Sequence, residues 1–240
     1  MRKDWLPNQH GAWAFLVAPV VVGSILGGLR WMHLLLLLAW LAAYCANFYM
    51  SLTLKTGRWS KYRRQLVAYG TTALAGGAVL VSADPHLLRI AIVAMPAFLL
   101  NLYFVRARNE RSWINDLAGI ALAFAVGFGA FRLGAVNPDP IRVEHAWRAI
   151  AVVCFYFVGT VFYVKTMIRE RGVALWLRVS IGFHAALFAL LVAMQWWLLS
   201  IIAFAAVVRA IVVPRLGWMP KRVGLLEVVF TVAFSVGVLV

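Results

Sequence analysis

The fold of this chain is decided by one stretch, residues 172–213, which reads GVALWLRVSIGFHAALFALLVAMQWWLLSIIAFAAVVRAIVV. Its 42 residues contain only two charged side chains, Arg178 and Arg209. One transmembrane helix needs about 20 apolar residues, so the stretch is too long for a single crossing. Gln195, Trp196 and Trp197 lie near its middle, and indole rings favour the membrane interface. The stretch therefore predicts two transmembrane helices joined by a tight turn.

The composition of the whole chain is that of a membrane protein. Of its 240 residues, 64% are apolar and 13% are charged, whereas soluble domains average roughly 45–50% apolar and about 25% charged residues. These values exclude a soluble globular protein, a disordered chain and a disulfide scaffold. The two cysteines, Cys45 and Cys154, lie within apolar runs, and we expect them to pack as small hydrophobic side chains.

The same length argument, applied along the chain, predicts an all-α polytopic transmembrane protein of nine helices, organised as one domain over residues 1–240. The predicted spans are residues 11–29, 31–53, 66–82, 87–105, 114–132, 147–168, 173–193, 195–213 and 222–240. Eight spans is the alternative if the short third span does not cross. The loops predicted on the outer side are short, the longest being residues 133–146, so we expect no soluble domain.

The basic residues alternate along the chain as the positive-inside rule describes. The chain has 23 Lys and Arg against 8 Asp and Glu, a formal net charge of +15. With a cytoplasmic N-terminus, 18 of the 23 bases fall at inner helix ends and 5 at outer ends. The outer five are Arg30, Arg89, Arg132, Arg142 and Arg148. The pattern predicts a cell-membrane protein with its N-terminus inside and its C-terminus outside.

Ionisable side chains within a membrane span are costly and are functional candidates by default. In the second span, Asn47, Ser51 and Lys55 are spaced by four residues and so share one face of a helix. Lys165 and Arg169 have the same spacing at the end of the sixth span. Uncompensated bases at a membrane boundary attract phosphate or carboxylate. The sequence predicts an anion-accepting cavity open to the cytoplasm; the alternative is adhesion to anionic lipid head groups.

We assign candidate roles in this cavity to two sets of residues. The candidate general acids or bases are titratable groups near the predicted inner face, namely His10, Asp116 and Glu227. The candidate substrate-binding residues are polar, aromatic or basic side chains towards that face, namely Asn47, Ser51, Lys55, Arg58, Asn101, Arg106, Arg111, Tyr163, Lys165 and Arg169. A structural role is the alternative for Asp116, as a helix-start carboxylate, and for Glu227, as the ion-pair partner of Arg209. We expect no bound metal and no cofactor.

Three short motifs together resemble the YwiC-like family of membrane proteins. They are Pro7–Trp13 (PNQHGAW), Asn109–Ser112 (NERS) and Arg169–Gly172 (RERG). The resemblance extends over nearly the whole chain, and the first motif is the most specific of the three. It implies a multipass membrane protein, and it implies little about chemistry.

The predicted architecture also resembles, more distantly, the UbiA prenyltransferase superfamily. Its members have nine helices and use aspartates at the ends of helices two and six to hold Mg²⁺, which binds a prenyl diphosphate. Here Asn47 matches the asparagine that begins the first motif, but Ser51 and Lys55 occupy the positions of its aspartates. Lys165 and Arg169 have the spacing of the second motif with reversed charge. Mg²⁺ needs oxygen ligands that these residues lack. The likeness is therefore either one of architecture alone, or it implies a site whose bases bind phosphate directly without metal.

Three functions stay open from the sequence. The first is binding of a phosphorylated lipid or prenyl-diphosphate-like anion, by a divergent UbiA-like transferase or by a relative that only binds. The second is a small anion transporter whose path contains Arg178, His184 and Arg209, and the third is a non-catalytic accessory subunit. The expected partners are the lipid bilayer and such an anion. Nucleic acid is excluded, because the bases follow the membrane boundaries and not one soluble face, and the oligomeric state is not indicated.

Overall fold

The computed structural model describes residues 5–7 and 12–240, and in these ranges the chain is helical with no strand. Its nine α-helices are α1 (Ala12–Gly27), α2 (Met32–Thr56), α3 (Trp59–Ala83), α4 (His86–Arg106), α5 (Trp113–Gly134), α6 (Pro140–Val164), α7 (Ala174–Ala193), α8 (Trp197–Val212) and α9 (Pro220–Gly237). A π-helical turn, Lys165–Arg169, continues α6, and a 3-10 turn, Val213–Leu216, continues α8. For the residues that the structure describes, the prediction of an all-α protein with nine helices is confirmed.

Seven of these helices, α2 to α8, are long and apolar enough to cross a membrane. The helix α1 is apolar but has 16 residues, which corresponds to about 24 Å at a rise of about 1.5 Å per residue. The helix α9 has 18 residues and carries Lys221, Arg222 and Glu227. The chain is therefore a multipass membrane protein, and the orientation of its termini stays a prediction.

Two helices begin earlier than the apolar runs predict. The helix α3 starts at Trp59 and has 25 residues, so the alternative in which a short third span fails to cross is not supported. Lys61, Arg63 and Arg64 consequently lie on its first turns, where they are exposed. The helix α6 starts at Pro140, where proline is well tolerated, and not near residue 147. In both helices a polar turn precedes the apolar segment. Hydropathy along the sequence detects the apolar segment but not the polar turn.

The contacts within the chain divide it into two compact units, Met1–Trp147 and Arg148–Val240. In the first unit, α2 packs on α3, while α5 packs on both α1 and α4. The helices α1 and α5 run in the same direction and approach very closely through glycines. A Cβ atom on Gly23 would lie 2.0 Å from the carbonyl oxygen of Gly127, and one on Gly27 would lie 2.4 Å from that of Phe131. Small residues that let backbones touch are typical of helix pairs in membranes.

In the second unit, α7 and α8 form the helical hairpin that residues 172–213 predict. The turn is confirmed: α7 ends at Ala193 and α8 begins at Trp197, with Gln195 in the left-handed region at φ 59°. The helix α8 also packs on α9. The buried core near one end of this unit consists of Tyr163, Met167, Ala210, Val213 and Val223. The single-domain organisation of the whole chain stays a prediction.

Candidate functional site

A line of three asparagines connects α2, α4 and α5 in the first unit. Asn47 Nδ2 donates to Asn101 Oδ1 at 2.9 Å, and Asn101 Nδ2 donates to Asn115 Oδ1 at 2.8 Å. Asn115 Nδ2 donates to the backbone carbonyl oxygen of Glu110 at 2.9 Å. Because a carbonyl oxygen can only accept, Asn115 must donate to it, and this fixes the orientation of the other two amides. The line holds the loop between α4 and α5 beside α2 and α4.

That loop brings charged groups to the end of α2. The ammonium group of Lys55 pairs with the carboxylate of Glu110, and the side chains are 32% and 26% exposed. Arg108 Nη2 donates weakly to the carbonyl oxygen of Lys55 at 3.4 Å. Arg108 has a left-handed backbone, φ 54°, at the point where the chain leaves α4. Lys55, Arg108 and Glu110 therefore form one cluster built from two elements.

Two adjoining pockets open beside this cluster. One has a volume of about 530 Å³ and is lined by Lys55, Arg108, Asn109, Glu110 and Arg111. The other has a volume of about 330 Å³ and is lined by Leu54, Lys55, Val105, Arg106 and Arg108. The lining residues include four bases and one acid, an imbalance that favours an anion. We refer to the two together as the cationic pocket.

Three other predicted site residues of the first unit, Ser51, Asp116 and Arg58, are not among the residues that line the two pockets. Ser51 Oγ donates to the carbonyl oxygen of Asn47 at 2.7 Å, so its hydroxyl hydrogen is used within α2. Asp116 is half-buried in the first turn of α5, where the helix dipole favours a carboxylate. Arg58 is exposed just before α3 and does not line either pocket. The predicted position of His10 lies outside the described residues.

The remaining predicted residues belong to the second unit. Lys165 and Arg169 do not continue an ordinary α-helical face, because Glu170 N donates to the carbonyl oxygen of Lys165 at 2.7 Å and closes a π-turn. Lys165 is buried, whereas Arg169 is exposed. The ammonium of Lys165 lies 4.4 Å from the ring centroid of Trp176. The two bases therefore occupy different environments, and their shared role in binding an anion stays a prediction.

Glu227 is held by a buried polar cluster. Its carboxylate accepts from Arg209 Nη1 through one oxygen and, through the other, from the hydroxyls of Tyr156 at 3.0 Å and Thr160 at 2.8 Å. The guanidinium carbon of Arg209 lies 4.2 Å from the ring centroid of Tyr163 and 4.5 Å from that of Phe230. This is the predicted ion pair, and it compensates the charge of Arg209 within the second unit. A catalytic role of Glu227 stays a prediction.

His184 completes this cluster in a defined tautomer. Its Nε2 lies 2.8 Å from Arg209 Nη2, and its Nδ1 lies 2.7 Å from the carbonyl oxygen of Ser180. A guanidinium only donates and a carbonyl only accepts, so the network assigns the proton to Nδ1 and leaves Nε2 as the acceptor. The ring also packs against Gly159, where a Cβ atom would lie 3.0 Å from Nε2. The cluster thus joins α6, α7, α8 and α9, and it is electrically neutral as a whole.

Several residues of these environments were not predicted from the sequence. Asn115 completes the asparagine line, and its signal was its position next to Asp116 at a helix start. Tyr156 and Thr160 lie within an apolar span without a distinguishing pattern. Trp176 is one of 11 tryptophans, and nothing in the sequence connects it to Lys165. These residues join their clusters only through contacts between segments that are distant in the sequence, which no local pattern indicates.

The fold defines a helical, multipass membrane protein. The chain belongs to the YwiC-like family: residues 6–131 match the family model described as "YwiC-like protein". It is 33% identical over 229 residues to a Bacillus subtilis protein named "Uncharacterized protein YwiC", covering 95% of this chain and 93% of the relative.

A second relative comes from Haemophilus influenzae and is named "Uncharacterized protein". It is 29% identical over 238 residues, which covers 99% of this chain and 98% of the relative. No solved structure matches the chain. The YwiC-like resemblance is confirmed, whereas the UbiA resemblance is not shown by these matches and stays a prediction.

Proposed function

We propose that this protein binds a phosphorylated or diphosphorylated lipid through the cationic pocket of its first unit. The observation that supports the proposal is the pocket lining, in which Lys55, Arg106, Arg108 and Arg111 are accompanied by the single carboxylate of Glu110. Arginine donors match phosphate oxygens in a planar, bidentate geometry. The pocket lies at the ends of membrane-spanning helices, so a ligand there can keep an apolar tail in the bilayer.

The smaller part of the pocket supports a lipid over a fully polar anion. Leu54 and Val105 line it together with Lys55, Arg106 and Arg108. An anionic head bound to the three bases would therefore have apolar side chains beside it. The lipid phosphate would compete with Glu110 for Lys55, because both anions use the same ammonium group. We further propose that this end of the first unit faces the cytoplasm, as the distribution of basic residues predicts.

The test measures binding of farnesyl diphosphate, with farnesol and inorganic pyrophosphate as partial probes, to the purified protein in nanodiscs. We expect Lys55→Met and Arg108→Met each to weaken farnesyl diphosphate binding by tenfold or more, because a hydrogen bond to a charged group contributes about 1.5–3 kcal/mol. The control is Arg89→Met, an exposed base near the start of α4, which should bind normally. Equal affinities of the wild type and both pocket variants would contradict the proposal.

Three activities are compatible with such binding, and the same preparation separates them. Release of pyrophosphate in the presence of an aromatic acceptor would favour the UbiA-like transferase. Movement of a phosphate-bearing anion into proteoliposomes without turnover would favour the transporter. Binding with neither result would favour a binding protein or an accessory subunit. The compensated charge of Arg209 gives the transporter path no support, because a neutral cluster does not attract an anion.

A further inference from the structure

The second unit contains a lysine whose side chain is almost wholly buried and whose ammonium group has no hydrogen-bond acceptor among the described residues. The side chain of Lys165 is 7% exposed. The nearest carboxylate oxygen, on Glu170, lies 3.9 Å from Nζ, which is longer than a hydrogen bond. An ammonium group has three N–H donors, and none of them has an acceptor among the described residues. A cation in this condition within a membrane protein indicates a binding site before a structural role.

The backbone around Lys165 is unusual in the same place. The turn Lys165–Arg169 is π-helical, and single π-turns in α-helices occur frequently at functional sites. The π-turn replaces the regular α-helical hydrogen bonds at the end of α6, beginning at the buried residue Lys165. Arg169, four residues later, is exposed. The π-turn therefore accompanies the separation of one buried base from a neighbouring exposed one.

The surroundings of the ammonium are suited to a ligand oxygen. Nζ lies 4.4 Å from the ring centroid of Trp176, and an aromatic face stabilises a cation without using its N–H donors. Trp176 is half-buried, and the side chain of Glu170 is 40% exposed, so the neighbours of the ammonium group are themselves partly accessible to solvent. Glu170 is close enough to attract the ammonium but does not satisfy it. A stronger anion can take that position while Glu170 turns towards water.

We propose that Lys165 is the anchor of a second anion site, which takes a phosphate-type oxygen between the π-turn and Trp176. The site is built only from residues of the second unit, so it does not depend on the cationic pocket formed with Lys55. Its ligand chemistry is shared by a free phosphate and by the phosphate of a lipid head group. In the absence of ligand, Glu170 acts as an internal competitor for the ammonium.

The test uses the full chain in phosphatidylcholine nanodiscs and follows tryptophan emission. The signal is the difference between the wild type and Trp176→Phe, because an anion that draws the ammonium from the ring changes the emission of Trp176. One arm adds inorganic pyrophosphate, and the other replaces part of the phosphatidylcholine with phosphatidic acid. A response in the first arm identifies a free phosphate, and a response only in the second identifies a lipid head group. No response in either arm would overturn the proposal.

Four variants assign the response to Lys165. Lys165→Met should weaken binding at least tenfold, and Lys165→Arg should restore part of it, which also guards against a folding defect. Glu170→Gln should strengthen binding about threefold, because the competitor loses its charge. Lys221→Met makes the same chemical change at an exposed lysine of this unit and should have no effect.

Lys55→Met should also leave the Trp176 response unchanged, so failure of this proposal is distinguishable from failure of the cationic pocket. A response that persists in Lys165→Met would refute the site. Weaker binding in Glu170→Gln would likewise refute it, because it would mean that the carboxylate supports the ligand and does not compete with it.

Discussion

Arg209, Lys55 and Lys165 are three basic side chains whose charges are compensated to different degrees. Arg209 is buried and pairs with Glu227. Lys55 pairs with Glu110 while both side chains stay partly exposed. Lys165 is buried with its nearest carboxylate at 3.9 Å. Loss of the charge should therefore cost much stability at Arg209, little at Lys55, and affect mainly ligand binding at Lys165.

Replacement of Arg209 by methionine should destabilise the protein by about 3–5 kcal/mol, because it leaves the buried carboxylate of Glu227 without its countercharge. The double variant Arg209→Met with Glu227→Gln should recover part of this loss. Lys55→Met should cost less than the Arg209 variant, about 1 kcal/mol, because the Lys55–Glu110 pair is partly exposed and solvent screens it. Denaturant unfolding in one detergent gives all three values. If the single Arg209 variant were no less stable than the double variant, Arg209 and Glu227 would not be coupled as described.

Asn101 is the middle of the asparagine line, and its replacement tests that line. Asn101→Leu leaves Asn47 Nδ2 without its acceptor and Asn115 Oδ1 without its donor, each at a cost of about 1–3 kcal/mol. Asn101→Asp keeps the acceptor for Asn47 but places a carboxylate oxygen against the Asn115 Oδ1 acceptor, so it should preserve the first bond and break the second. We expect both variants to bind farnesyl diphosphate more weakly, because the Glu110 loop loses its support. Unchanged binding in Asn101→Leu would show that the line does not position the pocket.

At the scale of the helices, the sequence predicts the membrane segments well and their polar extensions poorly. Within the described residues, each of the nine apolar runs contains a helix, because an apolar segment in a bilayer must satisfy its backbone hydrogen bonds internally. The first turns of α3 and α6 were missed because Lys61, Arg63 and Arg142 make them resemble loops. The π-turn at Lys165 was missed for a different reason. Hydropathy does not register one additional residue within a helix.

The glycine contact between α1 and α5 gives a prediction with a matched control. Gly23→Ala should destabilise the protein by about 1–3 kcal/mol, because the new Cβ would lie 2.0 Å from the Gly127 carbonyl oxygen. Gly127→Ala should behave similarly, since Pro19 lies within 3.0 Å of its Cβ position. Gly77→Ala is the control, because its Cβ would meet no atom within 4 Å. Thermal unfolding in detergent compares the three, and equal effects at Gly23 and Gly77 would contradict the close packing.

At the scale of the whole molecule, the positive charge has two origins. Most bases follow helix ends in the alternating pattern that orients membrane proteins. A few bases, such as Lys55 and Arg209, instead pair with carboxylates that lie far from them in the sequence. The sequence selects Lys55 and Asn101 as candidates because ionisable and polar side chains within an apolar span are costly, and it selects Arg106 and Arg111 as bases near the same predicted membrane face; their roles stay predictions. Their association with Asn115 and Glu110 was not predictable, since it depends on the path of one loop.

The orientation of the first unit can be tested by labelling introduced cysteines with an impermeant maleimide. Cys45 and Cys154 are free and buried, so they should give little background. Asn137 follows α5 and Arg58 lies between α2 and α3, and both positions are exposed. The predicted orientation places the first outside and the second inside. We therefore expect Asn137→Cys to react in intact cells and Arg58→Cys to react only after permeabilisation. The reverse labelling pattern would place the N-terminus outside.

The parallel pairing of α1 and α5 also constrains how the chain is made. Gly23 and its contact Gly127 are separated by about 100 residues of sequence, and synthesis proceeds at about 5–20 residues per second. The first helix therefore leaves the ribosome roughly 5–20 s before its packing partner exists. During that interval a 16-residue helix has to wait beside the translocation machinery or at the membrane surface. Because α1 is short for a crossing, we expect its insertion to be completed only when α5 packs against it. A nascent chain arrested after α4 should then leave α1 accessible to protease.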